Sequence, residues 1–95
     1  MRIKVKYLAV AREITGTREE IIETYISCTL IGLLGLLSEK HGQRMREYLF
    51  DRTTGKPHQH LQFLVDGAAI HMMDAFKTML TDGSTVLIIP PVSGG

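Results

Sequence analysis

The chain ends in Val86-Leu87-Ile88-Ile89-Pro90-Pro91-Val92-Ser93-Gly94-Gly95. The first four of these residues are β-branched or leucine, which is typical of a strand buried on both faces and therefore central in a sheet. The two prolines that follow cannot continue a sheet ladder and favour an extended path. We therefore predict a folded domain over residues 1–89, and an extended tail over residues 90–95 that leaves it in a defined direction.

The two terminal glycines give this tail a thin tip that bears the α-carboxylate. Neither glycine has a Cβ to collide with a narrow channel, and both accept backbone dihedrals that a partner's active site imposes. Six extended residues reach about 20 Å. We expect the carboxylate of Gly95 to be delivered into a partner's active site; the alternative is a frayed terminus. The residues expected to enter that site with it are Pro91, Val92, Ser93 and Gly94.

The N-terminal half predicts a hairpin followed by a helix. Ile3, Val5 and Tyr7 alternate with lysines, as in a half-buried strand. A turn over residues 11–17 leads to a second, antiparallel strand over residues 19–26, which is rich in isoleucine, threonine and tyrosine. Thr29 is a good helix N-cap, and leucines recur at helical spacing until Gly42 ends the pattern.

The C-terminal half predicts further strands. Residues 43–50 favour a short second helix, and a turn cluster follows over residues 51–57. A strand over residues 60–65 precedes Asp66-Gly67, a strong hairpin signal, and a short strand over residues 68–70. We therefore predict an α+β fold, with a mixed four- to five-stranded sheet, one main helix packed on one face, and a last strand parallel to the first.

Charge and composition exclude several classes of protein. Lys+Arg 11 against Asp+Glu 10 leaves a net charge of +1, whereas a nucleic-acid binder normally has a much larger basic excess. The single cysteine makes no internal disulfide, so no oxidising compartment is needed. The longest uncharged run, residues 24–38, is shorter than the about 20 residues of a membrane span. No signal peptide is visible, and we expect a cytoplasmic protein that binds neither nucleic acid nor membranes.

The side chains that could do chemistry form no convincing catalytic set. Cys28 lies at the predicted start of the helix, where a thiol is activated in some proteins, but a small buried hydrophobe is the favoured interpretation. His58 and His60 would share one face of a strand without a third metal ligand, so we predict no metal site. The glutamates at 19, 20 and 23 favour a solvated strand face over an acid–base group. We predict no catalytic residue of the chain's own.

The alternation of the strands also predicts a docking surface. If the helix covers the face that contains Val86 and Ile88, then Leu8, Leu87 and Ile89 form an uncovered apolar patch beside the start of the tail. A contiguous exposed apolar patch usually marks an interaction site. The alternative is that residues 42–57 cover it.

These residues resemble a known family. The run Asp82-Gly83-Ser84-Thr85-Val86 with the Pro-Pro-Val-Ser-Gly-Gly end resembles the β-grasp, ubiquitin-like sulfur carriers. Within that family it is most similar to the molybdopterin synthase small subunit (MoaD-like) and to the small archaeal ubiquitin-like modifiers. Residues 3–16 and Thr29 also look like the family's first strand, connection and helix start. The longer 42–57 region is similar to archaeal and ubiquitin-related-modifier members.

The resemblance implies a carrier without a bound cofactor. A ubiquitin-activating-type adenylating enzyme would use ATP to join the Gly95 carboxylate to AMP, and a persulfide sulfur would displace AMP and leave a thiocarboxylate. The large subunit of molybdopterin synthase would accept that sulfur for the dithiolene that holds molybdenum or tungsten. As the alternative, a lysine ε-amine of a target protein would attack the activated glycine and form an isopeptide bond. A third hypothesis is that the chain is an ordinary interaction domain and that its Gly-Gly end is incidental.

Overall fold

The computed structural model describes residues 1–25, 28–71, 74–75 and 77–90. Its elements lie along the chain in the order β1 (Arg2–Tyr7), α1 (Ala9–Thr15), β2 (Glu19–Glu23), β3 (Cys28–Thr29), α2 (Leu30–His41), α3 (Gln43–Leu49), β4 (Gln62–Val65), β5 (Ala68–Ile70), β6 (Met79–Leu80) and β7 (Thr85–Ile89).

The main sheet has five strands in the order β2-β1-β7-β4-β5. The last strand is central, as predicted: β7 pairs in parallel with β1 and antiparallel with β4. The hairpin predicted at Asp66-Gly67 joins β4 to β5. A two-stranded sheet of β3 and β6 lies at the start of α2. This mixed sheet with its helices confirms the β-grasp prediction.

The core lies between the sheet and the helices. Inward-facing residues of β1 and β7 pack against the leucine face of α2, which begins where the Thr29 side chain accepts a hydrogen bond of 3.1 Å from the Gly32 N–H. The helix ends at Gly42, whose φ of 86° suits a residue without a Cβ. The fully buried residues of these three elements include Ile3, Val5, Leu30, Leu33, Leu34, Leu37, Val86 and Ile88.

The prediction of a turn over residues 11–17 was wrong, whereas α2 is the main helix as predicted, and the described residues contain two shorter helices beside it. Residues 9–15 form α1, which buries Ala11 completely and ends at Gly16 in the left-handed conformation, where the Gly16 N–H donates to the Arg12 carbonyl at 2.8 Å. Gly16 is therefore the cap of a helix and not the centre of a turn. In the part of the chain that the structure describes, no helix is long and apolar enough to cross a membrane.

The second strand is shorter than predicted. β2 ends at Glu23, and one further pair follows, in which the Thr24 N–H donates to the Met1 carbonyl. Of the remaining predicted strand residues, Ile26 lies outside the described residues. The predicted short helix over residues 43–50 is confirmed as α3.

We expect Met45→Ala to reduce the free energy of unfolding by about 2–5 kcal/mol, because Met45 on α3 is fully buried in the core and truncation would leave a cavity. Arg44→Ala, one position away on the exposed side of α3, is the matched control and should change stability by less than about 0.5 kcal/mol. Chemical denaturation measures both. Equal effects of the two variants would show that α3 does not pack as described.

Candidate functional site

The start of the tail is held by the most central strand of the sheet. Ile89, the last residue of β7, pairs with Gln62 of β4, while Leu87 pairs with Lys6 of β1 on the other side. Pro90 follows directly and is half-buried. The chain therefore reaches Pro90 from a strand with hydrogen-bonded neighbours on both sides. The predicted tail residues Pro91, Val92, Ser93, Gly94 and Gly95 lie outside the described residues and stay predictions.

The sheet face opposite the helices presents the predicted docking residues together. Val86 and Ile88 are buried under the helices, so Leu87 and Ile89 point to the opposite face, where both are half-buried. The prediction that β7 is buried on both faces was therefore wrong for this face. Leu8 continues β1 in an extended conformation beside Ile89 and is 42% exposed. Their role as a partner interface stays a prediction.

Residues 42–57 do not provide the alternative cover for this face. Met45 and Leu49 of α3 are fully buried in the core, and α3 packs against α2 and α1 on the helix side of the sheet. The backbone of the segment returns to α3, because the His58 N–H donates to the Leu49 carbonyl at 2.9 Å. The longer region therefore thickens the helix layer and leaves the patch of Leu8, Leu87 and Ile89 open.

Basic side chains flank this apolar patch. Lys4 and Lys6 of β1 lie on the same face, one strand away from β7, and Lys6 is exposed beside Leu87. Lys4 also approaches Glu19 of β2 at 3.9 Å, with both side chains about half exposed. Exposed charges of this kind contribute little to stability but steer association. A complementary partner surface would therefore be apolar at its centre and acidic on one side.

Sequence reasoning missed one apolar neighbour of the patch. Leu64 of β4 pairs with Leu87 and is half-buried on the same face. The Asp66-Gly67 turn fixes the register of β4, so the alternation of Phe63 inward and Leu64 outward was a usable signal.

The remaining candidate side chains offer no activated nucleophile. Burial raises the pKa of the Cys28 thiol, which also donates a hydrogen bond to the Thr29 carbonyl at 3.3 Å. The imidazole of His58 donates to the Glu47 carbonyl at 2.9 Å and stacks on His60 with ring centroids 4.9 Å apart. Within the described ranges, no three His, Cys, Asp or Glu residues lie close enough together to hold a metal ion.

Glu20 does not belong to a solvated strand face, and that prediction was wrong for this residue. Glu20 and Ile22 point to the helix side of β2, whereas Glu19, Ile21 and Glu23 point away. The Glu20 carboxylate accepts hydrogen bonds from the Tyr7 hydroxyl and the His41 imidazole, and Lys40 Nζ lies 2.8 Å from its second oxygen. Glu20 thereby ties β1 and β2 to the end of α2.

This contact predicts a specific dependence of stability on pH. Partial burial by itself raises the pKa of Glu20, but the hydrogen bonds from Lys40, Tyr7 and His41 outweigh it and hold the pKa below its ordinary value of 4.5. The unfolded chain therefore binds more protons in acid, and the stabilisation, fully present above about pH 4.5, is lost as the pH falls through the folded-state pKa.

We expect Glu20→Gln to reduce the free energy of unfolding by about 1–2 kcal/mol at pH 7, because the amide keeps the shape of the side chain but loses the charged hydrogen bonds. The difference from the wild-type chain should shrink as the pH is lowered from 5 to 3, measured by urea unfolding. Glu23→Gln, on the exposed side of the same strand, is the control. If the difference in free energy of unfolding between Glu20→Gln and the wild type stays constant from pH 5 to pH 3, the Glu20 carboxylate does not have the lowered pKa described above.

Known proteins and a family model match this chain over nearly its whole length. The model of the ThiS family matches residues 5–95. Small archaeal modifier protein 3 of Haloferax volcanii is 25% identical over 95 residues, covering 100% of both chains. The solved structure of small archaeal modifier protein 1 of Methanosarcina acetivorans has a TM-score of 0.79 at 29% identity, covering 99% of this chain and 96% of that chain. A protein of Pyrococcus furiosus, provisionally assigned as molybdopterin converting factor subunit 1, has a TM-score of 0.76 at 26% identity, covering 97% and 99%.

Proposed function

Because this chain belongs to the ThiS family, we propose that it is a sulfur carrier whose C-terminal Gly95 is activated by adenylation and converted to a thiocarboxylate. The observation that supports this most strongly is the extent of the family match, which runs from residue 5 through the terminal Gly94-Gly95 pair. The fold and its C-terminal glycines therefore match the family as one unit, and the chemistry is proposed at Gly95.

The proposed reaction needs no catalytic residue from this chain. The Gly95 carboxylate attacks the α-phosphate of ATP on a partner enzyme, which forms the acyl adenylate and releases pyrophosphate. A persulfide then displaces AMP to give an acyl disulfide, and a thiol cleaves its S–S bond, leaving the thiocarboxylate and a new disulfide on the donor. A thiocarboxylate is ionised at neutral pH and is a strong nucleophile, so no base beside Gly95 is required. Because the activation consumes ATP, we place it in the cytoplasm.

The geometry at the start of the tail supports delivery of Gly95 to a partner. Pro90 follows a strand with a hydrogen-bonded neighbour on each side, so the direction in which the chain leaves the sheet is set by the core. The open patch of Leu8, Leu87 and Ile89 lies directly beside that exit. We propose that the adenylating enzyme docks on this patch, and that its surface is apolar with an acidic side facing Lys6.

We further propose that the sulfur serves molybdopterin synthesis, with the large subunit of molybdopterin synthase as the second partner. The likeness to the Pyrococcus furiosus protein supports this assignment. In this proposal the metal, molybdenum or tungsten, belongs to the finished product and not to this chain. The large subunit would bind the same patch, because both partners must receive the same tail.

Reconstitution tests the carrier function. The chain is incubated with ATP, its cognate adenylating enzyme and a persulfide donor with a thiol reductant, and its intact mass is measured. We expect a mass increase equal to one exchange of oxygen for sulfur, dependent on ATP. The chain without Gly95 is the matched control and should not change in mass. If the wild-type chain forms no thiocarboxylate although the enzyme is active on another carrier, the proposal is wrong.

A second function is favoured by one observation, the whole-length similarity to a protein named as a small archaeal modifier. In that function, the ε-amine of a lysine on a target protein attacks the activated Gly95 and displaces AMP or a thiol, forming an isopeptide bond. The same activation step serves both functions. Replacing Ser93 with arginine allows trypsin to leave Gly-Gly on a modified lysine, so mass spectrometry of cellular proteins tests it. If the chain is conjugated to other proteins, lysines that carry Gly-Gly will be found. Their absence in cells that contain the thiocarboxylate would contradict the modifier function.

A further inference from the structure

One edge of the main sheet carries a strand that no described segment covers. β2 lies at the end of the strand order, with β1 as its neighbour on one side. Its five residues include no proline, and an edge strand of this kind presents backbone N–H and C=O groups that can pair with another strand. The opposite edge, β5, has three residues. β2 is therefore the longer of the two free edges in the described sheet.

The hydrogen-bond pattern identifies which backbone groups face outward. Bonded and non-bonded pairs alternate along an antiparallel ladder. At the two ends of the β1–β2 pair, the Tyr7 N–H donates to the Arg18 carbonyl and the Thr24 N–H donates to the Met1 carbonyl, both at 2.8 Å. Steps of two from either end give Glu20 and Ile22 as the other residues of β2 that bond to β1. The residues between them, Glu19, Ile21 and Glu23, therefore direct their N–H and C=O groups away from β1.

The same edge borders an apolar groove. Leu36 on the outer side of α2 is 38% exposed on the helix side of this edge, and Ile21 is 43% exposed on the opposite face. A shallow groove of about 220 Å³ follows the edge and is lined by Ile21, Ile22, Glu23, Leu36 and Lys40. The charge of Lys40 is already neutralised by Glu20 at 2.8 Å. An added strand would thus find backbone partners at the edge and apolar surface on the helix side.

The charges at the edge select the partner. The Glu19 and Glu23 side chains flank Ile21 and are 50% and 77% exposed. Each approaches a basic side chain of β1, Lys4 at 3.9 Å and Arg2 at 3.7 Å, but exposed ion pairs of this length contribute little energy and leave the carboxylates accessible. A second copy of β2 added in antiparallel register around Ile21 would bring Glu19 opposite Glu23, and like charges directly opposite destabilise a strand pair. A strand with basic residues at those positions would be attracted. The β1 strand shows this complementarity on the inner side, where Arg2 lies opposite Glu23 and Lys6 opposite Glu19.

We propose that the free edge of β2 binds an extended segment of a partner protein as an added strand, and that this segment has apolar residues at its centre and lysine or arginine two positions to either side. Main-chain hydrogen bonds to Ile21 provide affinity, and the basic positions provide selectivity. β2 lies two strands from β7, a separation of about 10 Å. The proposal is therefore independent of the chemistry at Gly95 and leaves the start of the tail accessible.

A synthetic peptide tests this site on the full chain. The probe contains Lys-Val-Ile-Val-Lys with capped ends and a fluorescent label, and its binding is followed by anisotropy and by amide chemical shifts. We expect the largest shifts at Glu19, Ile21 and Glu23, and an affinity about tenfold higher than for the Glu-Val-Ile-Val-Glu peptide. Largest shifts at β5 or at Leu87, or equal affinity for both peptides, would overturn the proposal.

Two test variants, each with a control variant, separate edge pairing from a general attraction. Ile21→Pro removes an N–H that points away from β1, which an edge strand tolerates, and should abolish binding, whereas Ile21→Val should retain it. Glu19→Lys with Glu23→Lys should reverse the preference to the glutamate peptide, and Glu39→Lys on α2 should not. If the folded Ile21→Pro chain binds as tightly as the wild type, or if the edge instead pairs with a second copy in sedimentation experiments, the proposal is wrong.

Discussion

A chain with one alanine added after Gly95, or with Gly95 deleted, is expected to lose sulfur transfer completely. The reason is geometric, since the reacting carbon must lie within about 3.5 Å of the attacking atom and one residue shifts the carboxylate by about 3.3 Å. The free energy of unfolding should stay within about 0.5 kcal/mol of the wild type, because all fully buried residues of the described chain precede Ile89. Single-turnover formation of the acyl adenylate and the thiocarboxylate measures the first effect, and urea unfolding the second.

Gly95→Ala is the matched variant for this prediction. It keeps the length of the tail and adds one methyl group, so a partial loss of rate is expected. An extended chain that is adenylated and transfers sulfur at wild-type rates would refute delivery through a narrow channel. Such a result would instead support the hypothesis that the Gly-Gly end is incidental.

Ile89→Asp is expected to weaken binding to the adenylating enzyme by about 30-fold, or ~2 kcal/mol, because it places a charge at the centre of the apolar patch. Calorimetric titration of the enzyme with each variant measures this. Leu8→Asp changes a more exposed residue of the same patch and should act in the same direction. The control is Leu36→Asp, which introduces the same charge at an exposed leucine on the helix side.

The thermal stability of each variant separates lost binding from lost folding. We expect Leu8→Asp to remain as stable as Leu36→Asp, since the two leucines are exposed to a similar extent. If all three variants bind the enzyme equally well, the sheet face beside the tail is not the docking surface.

The central part of the fold was predictable because its signals are local. The uninterrupted apolar run of β7 indicated a central strand, and Thr29 with the leucine spacing indicated α2. Asp66-Gly67 determined the hairpin of β4 and β5. In each case one short stretch of sequence contains the whole signal, so neither the strand order nor the tertiary contacts had to be known.

The errors arose where the deciding contact is distant in sequence. The adjacent isoleucines of β2 fit either face, so the inward position of Glu20 depends on its contacts with Tyr7 of β1 and His41 of α2. The helix α1 was hidden because a glycine between threonines suits a turn as well as a helix cap. The half-buried outer face of β7 depends on which side of the sheet the helices cover, which is a property of the whole fold.

The most direct test of the carrier proposal is the chemical state of Gly95 in the protein isolated from its own sulfur-replete cells. Fragmentation of the intact chain in a mass spectrometer gives the masses of successive C-terminal fragments. We expect a fraction of molecules in which the smallest fragment, Gly95 alone, is heavier by one oxygen-to-sulfur exchange, with no other residue changed. A terminal carboxylate in every molecule, under conditions where a known thiocarboxylate survives isolation, would contradict it.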